Sequence, residues 1–145
     1  MKKLENRVAI VTGAGSGIGQ GIARRLAAEG ASVLIAEINS TAAQAVAASI
    51  EQDFGVQALA YPVDICDKDQ VKTMVATAVD TLGSVDILVN NAWGRRPGGN
   101  SLSPVESKTD ADFDHAFRIG YMASLWAMQA VFPHMREQGW GRIIN

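Results

Sequence analysis

Apolar residues fall along this chain in two alternating patterns, short unbroken runs and longer stripes at helical spacing. The run at 7–12 is apolar from Val8 to Val11 and stops at glycines, which suits a parallel strand buried on both faces. Ile18, Ile22 and Leu26 then recur every fourth residue beside Ala23 and Ala27, and Gly30 closes that helix. A second strand is expected at 32–36. Asn39 or Ser40 can cap an alanine-rich helix reaching about Gln52. Residues 56–61 form a weaker strand. Asp67 with Gln70 reads as a capping box, and Val71, Met74, Val75, Ala78, Val79 and Leu82 keep helical spacing up to Gly83. A strand at 85–89 ends at Asn90 and Asn91. Residues 93–104 are rich in Gly, Pro, Ser and Arg and read as a loop. A long helix follows over about 112–138. Gly139 and Gly141 turn the chain into a last strand at Arg142, Ile143 and Ile144.

Strand alternating with helix is the grammar of an open parallel sheet covered by helices on both sides. Ligands on such sheets bind at the carboxyl ends of the strands, so the chemistry is expected after Val11, Ala36, Tyr61 and Val89. Two isoleucines lie within three residues of Asn145, whereas a natural terminus is usually frayed and polar. The residues alone leave open whether this last strand ends a protein or lies in the middle of one.

Composition narrows the function classes. The 145 residues are 48% apolar and 19% charged, ordinary for a globular domain. A net charge of −2 offers no basic field to nucleic acid. Cys66 is the single cysteine and fits a reducing cytoplasm. The apolar runs are too short for a membrane span, and Val8–Val11 is too short for a signal-peptide core. His115 and His134 lack a third ligand, so no metal is expected.

The strand ends carry the candidate chemistry. After the first strand comes TGAGSGIG, Thr12 to Gly19. Glycines allow a sharp turn and close backbone approach, and the helix start offers free N–H groups to an anion such as a pyrophosphate. The plain alternative is a tight turn with no ligand. Glu37 ends the second strand, 18 residues after Gly19, and an acid at that spacing can accept hydrogen bonds from a ribose diol. It would also repel a 2′-phosphate, and Ile38 and Asn39 follow instead of Arg or Lys. This favours NAD over NADP. Asp64, before Ile65, can meet the amino edge of an adenine or cap the next helix. Asn90 and Asn91 can tie neighbouring strands, hold a cofactor or form a plain turn.

Together these features resemble the short-chain dehydrogenase/reductase family: TGAGSGIG, the Glu after strand two, VDI after strand three, NNA after strand four, and PHM before GWGRIIN. The resemblance spans the whole chain. It implies an α/β, Rossmann-like doubly wound parallel sheet of about five strands, incomplete on its C-terminal side. It implies a nicotinamide cofactor held at its pyrophosphate by Gly13, Ser16, Gly17, Ile18 and Gly19. Glu37 would meet the adenosine ribose and Asp64 and Ile65 the adenine. Asn90, Asn91 and Ala92 would lie along the cofactor and the central sheet. The substrate would be a small alcohol or carbonyl compound, and the long helix near 112–138 would make a homo-oligomer. The family's catalytic Ser and Tyr-x-x-x-Lys pair follow the strand written here as RIIN, so none is expected within these residues. A non-catalytic NAD-binding module and an inactive truncated product are the alternatives.

Two positions depart from the family pattern. Gly120 stands where many relatives carry an Asn that supports a proton relay. A glycine inside a helix costs about 1 kcal/mol relative to Ala, so it opens space for water or close packing, or is tolerated drift. Trp93 replaces the Gly usual after NNA, and either walls a substrate pocket or packs on the long helix. Arg95 and Arg96 read as a solvated pair before an anion site. Cys66 reads as a small packed residue. Met122, Met128 and Met135 read as core. The long helix is apolar nearly all round from Ala116 to Phe132, which calls for cover on more than one face.

Overall fold

All five apolar runs become strands of one parallel sheet in the computed structural model, which describes residues 2–94 and 104–145. The Arg95 and Arg96 pair lies outside the described residues. The strands are β1 (Val8–Thr12), β2 (Ser32–Glu37), β3 (Ala58–Pro62), β4 (Ile87–Val89) and β5 (Arg142–Ile144). Their order across the sheet is β3-β2-β1-β4-β5, with Ile10 registered against Leu34 on one side and Leu88 on the other. The helices are α1 (Gly17–Ala28), α2 (Ser40–Phe54), α3 (Lys68–Leu82), α4 (Asp110–Phe117) and α5 (Ala123–Glu137).

The period-two alternation of each strand divides the core in two. Ala9, Val11, Val33, Ile35, Ile87 and Val89 pack with Ala23, Ala27, Ala43, Val46 and Ile50 from α1 and α2. Ile10, Leu34 and Leu88 face the other way, onto Val71, Met74, Val75 and Ala78 of α3 and Trp126, Ala127 and Val131 of α5. β1 is buried at every position, as expected of the central strand of a sheet covered on both faces.

Three expectations change in detail. The buried stripe of α1 is Gly19, Ala23 and Ala27, one residue on from the Ile18 stripe, and Ile18 is 78% exposed. Small residues bring this helix close to the sheet and leave Ile18 outside. The long helix is not uniform. A π-helical turn, Arg118–Met122, separates α4 from α5. α4 also starts two residues earlier than expected. There Thr109 and Asp112 form a capping box, with the Thr109 N–H donating to Asp112 Oδ2 at 3.0 Å.

Asp67 caps α3 as read, accepting from the N–H groups of Asp69 and Gln70. Gln70 returns the favour differently: its Oε1 accepts from the Asp64 N–H at 3.0 Å. The Gln70 hydrogen bonds hold the Asp67 carboxyl below its ordinary value. A lowered folded-state pKa means that this cap supports the fold fully above the ordinary carboxylate range, and the support fades as pH falls through the lowered value.

At the opposite edge of the sheet, Asp86 is a buried polar residue that the apolar pattern concealed. Its carboxylate accepts from Arg7 Nη1 at 2.7 Å, the Val8 N–H at 2.9 Å and the Ser84 hydroxyl at 2.7 Å. Arg7 also stacks over Trp140, 3.8 Å from the ring centre. Asp86 therefore ties the starts of β1, β4 and β5. Asp86→Ala strands these donors and is expected to lower stability by about 2–4 kcal/mol, measured by chemical denaturation.

Candidate functional site

Four strands, β1 to β4, end on one side of the sheet, and the segments that follow them enclose a cleft of about 600 Å³. The glycine turn after β1 supplies its floor. Gly13 has φ of +64°, a left-handed conformation that favours glycine. A methyl group there would also lie 2.8 Å from Cα of Ala92. Gly19 is buried, and a methyl group there would strike the Gly13 carbonyl and the Asn91 amide. Ser16 stands at the start of α1 with extended backbone and makes no side-chain capping bond. The N–H groups of the first helical turn have no partner within the helix, so they present partial positive charge to the cleft.

Glu37 closes the β2 side. Its Oε2 accepts the Gly15 N–H at 3.1 Å and its Oε1 the Asn39 N–H at 3.2 Å. A methyl group on Gly15 would lie 2.6 Å from Cγ of Glu37. Gly15 thus makes room for the carboxylate and orients it, a role the glycine spacing did not reveal.

The β4 side is pinned by hydrogen bonds. Thr12 is buried, and its hydroxyl oxygen accepts from the N–H groups of Asn91 and Ala92, each at 3.0 Å. The Asn91 side-chain amide donates to the Thr12 carbonyl at 2.9 Å and the Gly13 carbonyl at 3.3 Å. Asn91 and Thr12 therefore fix the glycine turn against β4. Thr12 was missed because a β-branched residue ending a strand looks like ordinary strand composition. Asn90 points elsewhere: its amide donates to Asn145 Oδ1 at 2.7 Å, linking β4 to β5 outside the cleft lining.

The remaining wall comes from β3 and α4. Asp64 and Ile65 border the cleft. Asp64 Oδ1 also accepts from the Cys66 N–H at 2.9 Å, so it combines both readings of that position. Burial, then the Asp64 carboxylate, push the Cys66 thiol above its ordinary pKa against the pull of Arg118. Such a thiol is a poor nucleophile. The Arg118 Nε–H donates to the Cys66 carbonyl at 3.1 Å and fastens the helix to this loop. Ile38, Trp93, Gly94, His115 and Ile119 complete the rim, and of these the sequence suggested a pocket position only for Trp93.

Of the expected site residues, Gly13, Ser16, Gly17, Ile18, Gly19, Glu37, Asp64, Ile65, Asn91 and Ala92 all line this cleft. Exposed Ile18 now has a place, on its rim. Gly120 lies in the π-helical turn, beside the Trp93 ring. Among the described residues no helix is long and apolar enough to cross a membrane, and no group of three His, Cys, Asp or Glu residues could hold a metal ion.

Residues 7–145 match the family described as short chain dehydrogenase. The 7alpha-hydroxysteroid dehydrogenase of Escherichia coli (strain K12) is 39% identical over 99% of this chain and 53% of its own length. A crystal structure of NAD+-bound xylitol dehydrogenase superposes with a TM-score of 0.88 at 32% identity, over 98% of this chain and 53% of that one. A 7 alpha-hydroxysteroid dehydrogenase complexed with NADH and 7-oxo glycochenodeoxycholic acid gives a TM-score of 0.87 at 40% identity, over 97% of this chain and 52% of that one. The chain spans about half the length of the curated relatives it matches. With its parallel five-stranded sheet and its glycine-turn cleft, the chain belongs to the short-chain dehydrogenase family.

Proposed function

We propose that these 145 residues form the cofactor-binding half of an NAD-dependent oxidoreductase acting on a small alcohol or carbonyl compound. One observation carries the reading: a single cleft joins the glycine turn, the Glu37 carboxylate and the Asp64–Ile65 edge. Glycine at positions 13, 15 and 19 lets the turn close against Ala92, Glu37 and Asn91, and that packing shapes the turn that faces the cleft. The N–H groups of Gly17, Ile18 and Gly19 would hold the pyrophosphate, with Gly13 and Ser16 beside it. Glu37, oriented by Gly15, would accept from the adenosine ribose diol. Asp64 and Ile65 would border the adenine. Asn91 and Ala92 act on the other side of β1, where Asn91 holds the turn in shape; Asn90 would serve from the sheet, through its link to β5. Nicotinamide, when bound, supplies the hydride acceptor or donor.

The relatives support NAD as the cofactor, since two matched structures hold NAD+ or NADH. An alcohol or carbonyl substrate is supported by the hydroxysteroid and xylitol dehydrogenases among the relatives. A reducing cytoplasm, suited to the free Cys66, is where we place the protein. The Ser and Tyr-x-x-x-Lys of the family resemblance are not among these residues, and acid–base help of that kind is worth about 10²–10⁴ in rate. The chain alone is therefore expected to bind NAD+ and to turn over no alcohol. NAD+ at about 100 times its dissociation constant should raise stability by about 2.7 kcal/mol. A melting temperature unmoved by NAD+ would refute the reading.

A second reading, a binding module without catalysis, rests on Gly120, which offers no amide for a proton relay. Turnover by any longer protein carrying this segment would exclude it.

We also propose a homo-oligomer. Phe113, Phe117 and Tyr121 recur every fourth residue along α4 and the π-helical turn and are 58–60% exposed; the rings of Phe117 and Tyr121 stack 5.1 Å apart. The buried face of α5 is already spent on α3 and the sheet, so this aromatic stripe is free to meet a second copy. Light scattering at micromolar concentration should give a dimer or larger species, and a clean monomer would count against it.

A further inference from the structure

Trp93 and Gly120 are 27 residues apart in sequence and touch in the fold. A methyl group on Gly120 would lie 2.8 Å from Cζ3 of Trp93, with Cε3 and Cη2 at 3.6 and 3.8 Å. The benzo edge of the indole thus rests where any other residue would place its Cβ. Gly120 sits in the middle of the π-helical turn, a distortion that often marks functional positions in helices, and its carbonyl accepts from the Ser124 hydroxyl at 3.4 Å. The rest of the indole is uncovered. Trp93 is 71% exposed, yet it lines the cleft beside Gly94 and Ile119. A large apolar ring fixed along one edge and bare on the other parts of its surface is suited to take a ligand against it.

Strand order says which part of the ligand. Glu37 ends β2 and Asp64 follows β3, on one side of β1, whereas Trp93 follows β4 on the other. A dinucleotide with its adenosine toward β2 and β3 and its pyrophosphate at the glycine turn must carry its other half toward β4. We propose that Trp93 packs against the nicotinamide ring of the dinucleotide, and that Gly120 is the seat that holds its indole there. The assignment rests on the dinucleotide reading above and adds a contact to it. It also joins the two departures from the family pattern into one device, because the ring needs the missing side chain.

Calorimetric titration of this chain with NAD+ and with ADP-ribose, which lacks the nicotinamide ring, separates the possibilities. Trp93→Ala is expected to weaken NAD+ by about three- to tenfold, the range of an aromatic packing contact, and to leave ADP-ribose unchanged. Trp93→Phe should recover most of the loss. Gly120→Ala should reproduce the Trp93→Ala pattern by unseating the ring. It should also raise acrylamide quenching of tryptophan fluorescence, and this change should vanish in a Trp93→Phe background. Equal losses for both ligands, or no loss for either, would overturn the contact. Quenching unaltered by Gly120→Ala would overturn the seat. A parent chain that binds neither ligand would overturn the dinucleotide reading itself, and this assignment with it.

Discussion

Gly19→Ala is expected to weaken NAD+ binding by about ten- to hundredfold, the equivalent of one charge-assisted hydrogen bond lost. The added methyl would meet the Gly13 carbonyl and the Asn91 amide. Neither is the free end of a flexible side chain, because Asn91 is held by the carbonyls of Thr12 and Gly13. The start of α1 must therefore lift away from β4, which moves the first-turn N–H groups. Overpacking of this kind also costs about 1–3 kcal/mol of stability. Gly21 on the same helix is the control. It is exposed, and a methyl there meets nothing within 4 Å. Gly21→Ala should raise stability by about 0.5–1 kcal/mol, the gain in helix propensity, with no change in binding. Denaturation and calorimetry on the pair separate site geometry from helix propensity. Equal behaviour of the two variants would sink the close-approach argument.

Glu37→Gln should shift cofactor choice by about a hundredfold toward NADP+. Replacing the carboxylate by an amide keeps an oxygen for the Gly15 N–H, which Glu37 Oε2 now accepts at 3.1 Å. The turn therefore stays seated, and the charge alone is removed. NAD+ should weaken by about three- to tenfold, since hydrogen bonds to a charged acceptor exceed neutral ones by about 1 kcal/mol. NADP+ should gain by about ten- to thirtyfold as repulsion of the 2′-phosphate is relieved. Competitive titration with the two cofactors measures the ratio. An unaltered ratio would mean that Glu37 only props the glycine turn.

Much of the fold was legible because its signals are local. Continuous apolar runs marked the five strands, and Asp67, and Asn39 or Ser40, were read as caps from residue type and position alone. The glycine turn and Glu37 were found because spacing carries their chemistry. What escaped reading depends on contacts between distant segments. Thr12 looked like strand composition, and only the neighbouring β4 shows that its hydroxyl receives two backbone N–H groups. Asp86 sat inside an apolar run, and its partners Arg7 and Ser84 gain meaning only when the strand starts align. Ile18 was assigned to the buried face because its period is right; the smaller Gly19, Ala23 and Ala27 took that face by allowing closer approach. Gly120 was a visible anomaly and packing on the long helix was one of the two readings of Trp93, but that the two residues meet depends on the fold.

The central claim is that this cleft binds NAD+. The most direct test is calorimetric titration of the purified 145-residue chain with NAD+ and NADP+, after its solubility is established. The account predicts saturable binding of NAD+ at one site per chain and markedly weaker binding of NADP+. A folded chain that binds neither cofactor would contradict it.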